Sequence, residues 1–227
     1  GPINFTISNS SHEKTVRLLN QHTTEKPEEY NHLLPSELWG CARVLSNFFG
    51  RLNEVAVSRT QWSIYETPLP GQQLQAKSRI VQTEVRRSLS YATIETMTYS
   101  RDNENTIPHM LQLDELLLFH EAPANWKYKE RFVDDHDATD FIVPRTVYFR
   151  HDWNPRIWNN NIHHDWAQRW GYQSGLPEFI MYMDWIFDAF IRKTGHGTNS
   201  FAIDVSIILP LYLGNNFEVR LREEDHC

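Results

Sequence analysis

Cysteine is nearly absent: Cys41 and Cys227 are the only two in 227 residues. Two thiols make no disulfide framework, so a reducing, cytoplasmic setting is expected. No run of about 18 apolar residues occurs, and no membrane-spanning helix is expected. Basic clusters are missing as well. Lys and Arg number 22 against 29 Asp and Glu, a net charge of −7 with no basic block. Nucleic acid is therefore not expected as the main partner, because phosphate binding needs clustered cations. No secretory leader precedes Asn4-Phe5-Thr6 or Asn9-Ser10-Ser11, so these sequons read as chance matches. His151, Asp152, His163, His164 and Asp165 are suitable ligand types for iron or zinc but form no compact ligand motif. Neither a metal nor any other cofactor is expected.

What is present argues for a folded chain: 40% of residues are hydrophobic and 13% aromatic. The layout is duplicated. Gly71-Gln72-Gln73-Leu74-Gln75-Ala76-Lys77 matches Gly214-Asn215-Asn216-Phe217-Glu218-Val219-Arg220 in chemical type, and a Pro-containing apolar approach precedes each copy. Gly can supply the turn, and the alternation after it reads as a half-buried strand. Upstream of each copy stands a Pro-acidic-apolar helix, over Pro35–Phe49 and Pro177–Thr194. The first has one apolar stripe. The second is apolar on nearly every face, a pattern that requires protein all round it. The strand candidates are 55–67, 74–84, 89–99, 110–119, 147–151, 201–209 and 217–221. The organisation expected is an N-terminal extension (1–30), an N-terminal half (31–120), a polar, solvated linker (121–144) and a C-terminal half (145–227). The second half runs out of strands after Gly214, and an open sheet edge is a pairing template. A homodimer or heteromer is expected.

A buried helix wrapped by sheet, in two tandem copies, suggests an α+β double hot-dog architecture, with two curved antiparallel sheets each around a central helix. The stretch Asn161-Ile162-His163-His164-Asp165, then aromatic residues, then Gly175-Leu176-Pro177 before the apolar helix, resembles the MaoC-like acyl-thioester hydratases and dehydratases. That family has roughly D-x-N-P-(apolar)-H-x-D, a Gly/Pro turn and a His-Gly opening the central helix. The resemblance spans about residues 150–225 at motif level; the first half matches in layout. By position it implies that His163 is the catalytic histidine, Asp165 the carboxylate two residues on, and Asn160 the motif asparagine. Three departures stand out. Trp158 replaces the family's catalytic aspartate, Asn161 its proline, and bulky residues at 180–183 its His-Gly.

The implied substrate is an acyl chain carried on coenzyme A or an acyl carrier protein, or a free unsaturated acyl chain. Hydration of an enoyl thioester needs an acid and base near the β-carbon and donors to the carbonyl. The unperturbed pKa of histidine lies near neutrality, which suits His163 to the first task. Trp158, Trp166, Tyr172, Tyr182 and His164 are the candidate pocket walls. Asp184 and Asp188 sit four apart, on one face of an otherwise apolar helix. Asp184 could be the base of a hot-dog thioesterase, and Asp188 could pair with Arg192. Beside the dehydratase reading stand a cyclase or isomerase of a specialised-metabolite (polyketide-type) pathway and a non-catalytic acyl-binding partner subunit.

Overall fold

The computed structural model describes residues 1–20, 30–38, 55–101, 108–129, 141–142, 164–176, 183–189, 200–207, 210, 212 and 216–217. Six strands form one antiparallel sheet in the order β1 (Ile3–Thr6), β3 (Gln73–Arg86), β4 (Leu89–Ser100), β5 (Met110–Leu118), β2 (Val55–Ile64) and β7 (Phe201–Ser206). A separate pair joins β6 (Phe141–Ile142) to β8 (Asn216–Phe217). The described helices include α1 (Asn9–Asn20), α2 (Pro35–Leu38) and α3 (His164–Arg169), and residues 183–189 are helical too. No described helix is long and apolar enough to cross a membrane.

Both predicted Pro-acidic-apolar segments contain helix where they are described. At residues 183–189, Met183, Asp184, Trp185, Phe187 and Asp188 are all buried, as the all-round apolar pattern requires. The sheet differs from expectation in one respect. β7, from the second half, pairs with β2 of the first, from Arg59↔Ser206 to Ile64↔Phe201. Strands from the two halves thus meet in the six-stranded sheet, because β2 has an edge to offer that β7 can satisfy with a full row of main-chain bonds. β1, within the predicted N-terminal extension, likewise closes the far edge against β3.

Alternation sorts the two faces. Along β5 every second residue is buried: Met110, Gln112, Asp114, Leu116 and Leu118. A bulge between Val57 and Arg59 brings Val55 and Val57 onto the same inner face as Thr60, Trp62 and Ile64. One end of this face holds Trp62, Ile64, Leu74 and Met110, covered by Leu33, Leu38 and Met183. The other holds Val55, Ala92, Ile94, Leu116 and Leu118. Burying these side chains contributes roughly 1.5–3 kcal/mol for each large one.

Between the two apolar ends runs a polar band. Thr60, Thr96, Thr98, Gln112 and Asp114 are each 0% exposed. Thr60 donates its hydroxyl to the Asp114 carboxylate and accepts the Trp62 indole N–H at 2.6 Å. Ser78 and Thr96 join hydroxyls at 2.6 Å. Neither end of the Gln112 carboxamide, nor the Thr98 hydroxyl, has a partner. An unpaired buried group costs roughly 1–3 kcal/mol.

The β3–β4 hairpin turns through Arg87 and Ser88, both at positive φ (50° and 67°), with Arg86 opposite Leu89. That is the two-residue geometry that matches strand twist, built without the Asn or Gly that usually adopts it.

Candidate functional site

The sequence motif leads directly into α3. His164 opens the helix and Asp165 lies exposed in its first turn, where a carboxylate complements the helix dipole. His163, Asn160, Trp158 and Tyr182 lie outside the described residues, as does the side chain of His164. Trp166 and Ala167 of α3 are buried together with Trp170, which directly follows the helix, at the three- and four-residue spacing that aligns side chains on a helix.

The helix stops at Gly171. The Tyr172 N–H reaches back to the Ala167 carbonyl at 2.9 Å and the Gly171 N–H to that of Gln168 at 3.0 Å, the paired bonds of a Schellman cap. Gly171 has φ +84°, and a Cβ there would stand 2.8 Å from the Tyr128 carbonyl oxygen. Only glycine fits both the conformation and the space.

The cap folds Tyr172 back into an aromatic wall. Phe119 is its centre, with ring centroids at 5.3 Å from Trp166, 5.1 Å from Trp170 and 5.6 Å from Trp126. Tyr172 stacks on Tyr128 at 4.6 Å, and Tyr212 completes the group. Two of the predicted pocket residues, Trp166 and Tyr172, are therefore brought together. Burial, followed by the neighbouring Tyr128, Tyr212 and Tyr91 phenols, pushes the Tyr172 hydroxyl well above its ordinary pKa, so it stays neutral. Trp126 and Tyr128 come from the predicted linker. Its first residues are docked on the wall through these rings and a Tyr128 N–H bond to the Trp170 carbonyl at 2.7 Å, not simply solvated.

The aromatic wall packs on Ala56 and Leu117 of the outer face, whereas Asp184 belongs to the inner face, where its neighbour Met183 packs with Leu33 and Leu38. It accepts the main-chain N–H of Ser36 at 2.8 Å. The residue before α2 is Leu34, which has no side-chain acceptor, so Asp184 supplies the missing cap from another helix. Asp188 is buried and accepts the Tyr30 hydroxyl; Arg192, its expected partner, lies outside the described residues.

Sequence reading missed a buried pair next to these carboxylates. His12 of α1 is 2.8 Å from Glu37 through Nδ1, and its Nε2 is 2.8 Å from the Tyr30 carbonyl. A carbonyl only accepts, so Nε2 carries a hydrogen, and the remaining proton lies between Nδ1 and the carboxylate. Burial lowers the His12 pKa; the Glu37 hydrogen bond and charge, helped by the Tyr30 carbonyl, outweigh it and leave it raised. Glu37 also accepts the Leu34 N–H at 2.8 Å, half of a capping box. The Glu three residues after Leu34 was the available signal for that bond. Nothing local to His12 signals the pair, because its partners lie 25 and 18 residues away. Among the described residues no three His, Cys, Asp or Glu side chains converge as metal ligands.

No protein-family model and no curated protein matches the sequence. Solved structures do match in fold. The chain is similar to HtdX of Mycobacterium tuberculosis, with TM-score 0.69, 10% identity, and coverage of 94% of this chain and 85% of that one. It is similar to a MaoC-like dehydratase of Phytophthora capsici, with TM-score 0.61, 12% identity, and coverage of 94% and 82%. The full-length peroxisomal multifunctional enzyme type 2 of Drosophila melanogaster gives TM-score 0.61 at 10% identity over 94% of this chain and 41% of that one. At such identities the likeness is one of fold, and the fold is the double hot-dog of the MaoC-like proteins.

Proposed function

With the MaoC-like double hot-dog fold as premise, we propose that this chain is a dehydratase or hydratase acting on an acyl thioester. The observation that carries the reading is the start of α3: the H-x-D motif leads into a helix whose buried face is an aromatic wall. In the hydration direction His163 takes a proton from water as oxygen adds to the β-carbon, and returns a proton at the α-carbon. Asp165 orients the histidine and Asn160 the water. Trp158, Trp166, Tyr172, Tyr182 and His164 line the acyl chain, which arrives on coenzyme A or an acyl carrier protein in the cytoplasm. Trp158 in the aspartate's position favours a second reading, a cyclase or isomerase that uses the same histidine without adding water. The thioesterase alternative would use Asp184, whose bond to Ser36 already gives it a structural task.

The test is hydration of enoyl-CoA esters of increasing chain length. His163→Ala should lower turnover by roughly two to four powers of ten with the melting temperature nearly unchanged, and His164→Ala should be milder. Full activity in His163→Ala would shift the assignment to Asp184. The working unit we propose is a homodimer, because the sequence of the second half runs out of strand candidates after Gly214; light scattering giving a concentration-independent monomer mass would refute that.

A further inference from the structure

We infer that α1 is a proton-operated strap: it grips the start of α2 while His12 is protonated, and swings free of it, with the rest of the fold still closed, once His12 is neutral.

The anchorage of α1 is uneven. Its chain enters from a fixed point. β1 is laddered to β3, the Ile7 carbonyl accepts the Gly71 N–H at 2.7 Å, and the Ile7 side chain packs in the Trp62 cluster. Within α1 itself the described side chains that are buried are His12 and Leu19, spaced to lie on one face of the helix. A helix of 12 residues is marginal without packing, and one leucine is a light apolar anchor. His12 adds its two bonds of 2.8 Å, to Glu37 and to the Tyr30 carbonyl. The segment it grips is tied in turn to the helix at residues 183–189, through the Tyr30 hydroxyl on Asp188 and the Ser36 N–H on Asp184.

The contact with Glu37 needs the proton. Nε2–H is committed to the Tyr30 carbonyl, so a neutral His12 turns the Nδ1 lone pair toward Glu37 Oε2, and two acceptors repel at 2.8 Å. Glu37 would then keep only the Leu34 N–H, its Oε1 being buried and unpartnered, and a buried carboxylate is strongly destabilising when it loses its partner. Moving α1 aside lets water reach both groups. The charged groups bearing on His12 are Glu37 of α2 and Glu13 of α1. Burial opposes the imidazolium; Glu37, the Tyr30 carbonyl and Glu13 together outweigh it. Release of α1 therefore comes as pH rises.

Amide hydrogen exchange of the full chain, expressed as protection factors so that the intrinsic pH dependence divides out, tests this. Protection along α1 should be level below about pH 6.5, fall by up to about tenfold per pH unit through the His12 transition, and level off above it. Protection of β3 and β4 should not change. Glu37→Gln should keep α1 closed across the range, because a carboxamide both accepts the Leu34 N–H and donates to a neutral His12. Loss of protection in α1 and the sheet together means that His12 serves the whole fold, and overturns the strap. Protection of α1 that ignores pH in the wild type, or that falls equally in Glu37→Gln, overturns it as well.

Discussion

His12 is hydrogen-bonded to Glu37 in a buried setting, and this ties stability to pH in a definite direction. The His12 pKa is raised above its ordinary 6.5 in the folded chain. The folded state therefore holds its proton where the unfolded state has begun to lose it, and stability falls as pH rises. The contribution is complete below about pH 6.5 and disappears as pH climbs through the folded value. Urea titrations across that window should show a falling midpoint for the wild type and a flatter profile for Glu37→Gln. His12→Ala should cost roughly 3–5 kcal/mol, since it strands a buried carboxylate. A wild-type midpoint that rose with pH, with Glu37→Gln parallel to it, would refute the coupling. At this scale the sequence was a partial guide. Trp166 and Tyr172 were singled out because they adjoin the motif, and they are buried together in one aromatic cluster. Glu37 and His12 were not readable as a pair, because it takes the packing of α1 against α2 to bring them together.

Elements were legible wherever the pattern was local. β2, β3, β4 and β5 each fall within a few residues of the alternating runs that predict them, and residues 183–189 are buried helix as their all-round apolar character demands. Tertiary structure overrode the local pattern at the polar band. Gln112 and Asp114 are polar side chains of β5, yet both are inward and fully buried. The β3–β4 turn is a case where sequence and geometry disagree. Arg87 and Ser88 hold positive φ, a conformation that costs an L-residue roughly 1–2 kcal/mol. Replacing them with Asn-Gly should stabilise the chain by roughly 1 kcal/mol, read as a higher urea midpoint. A lower midpoint would mean that Arg87 or Ser88 makes a contact worth more than the strain.

At the scale of the whole molecule, the tandem layout is a matter of sequence order more than of separate bodies. β7 contributes Phe201, Ile203 and Val205 to the same core cluster as Trp62, Ile64 and Leu74. It is also fastened by Asp204, which takes two bonds from Arg59, at 2.9 and 2.5 Å, and one from Gln61 at 2.8 Å. A chain expressed as two pieces, divided between residues 130 and 140, should accordingly give an N-terminal piece that does not fold cooperatively alone. Co-expression with the C-terminal piece should restore the native circular dichroism spectrum. An N-terminal piece that melts sharply by itself would show that β7 is dispensable.

The span between β2 and β7 also sets a timetable for synthesis. Arg59 and Asp204 are 145 residues apart. At roughly 5–20 residues per second, the ribosome needs on the order of ten seconds to deliver the second after the first. For that interval β2 can pair with β5 on one side while its other edge stays open, with the Trp62 side of the sheet lacking part of its cover. An unpaired strand edge beside bare apolar surface is what drives nascent chains to associate with one another. The chain is therefore expected to depend on chaperones while it is being made, and slower translation should lower its soluble yield.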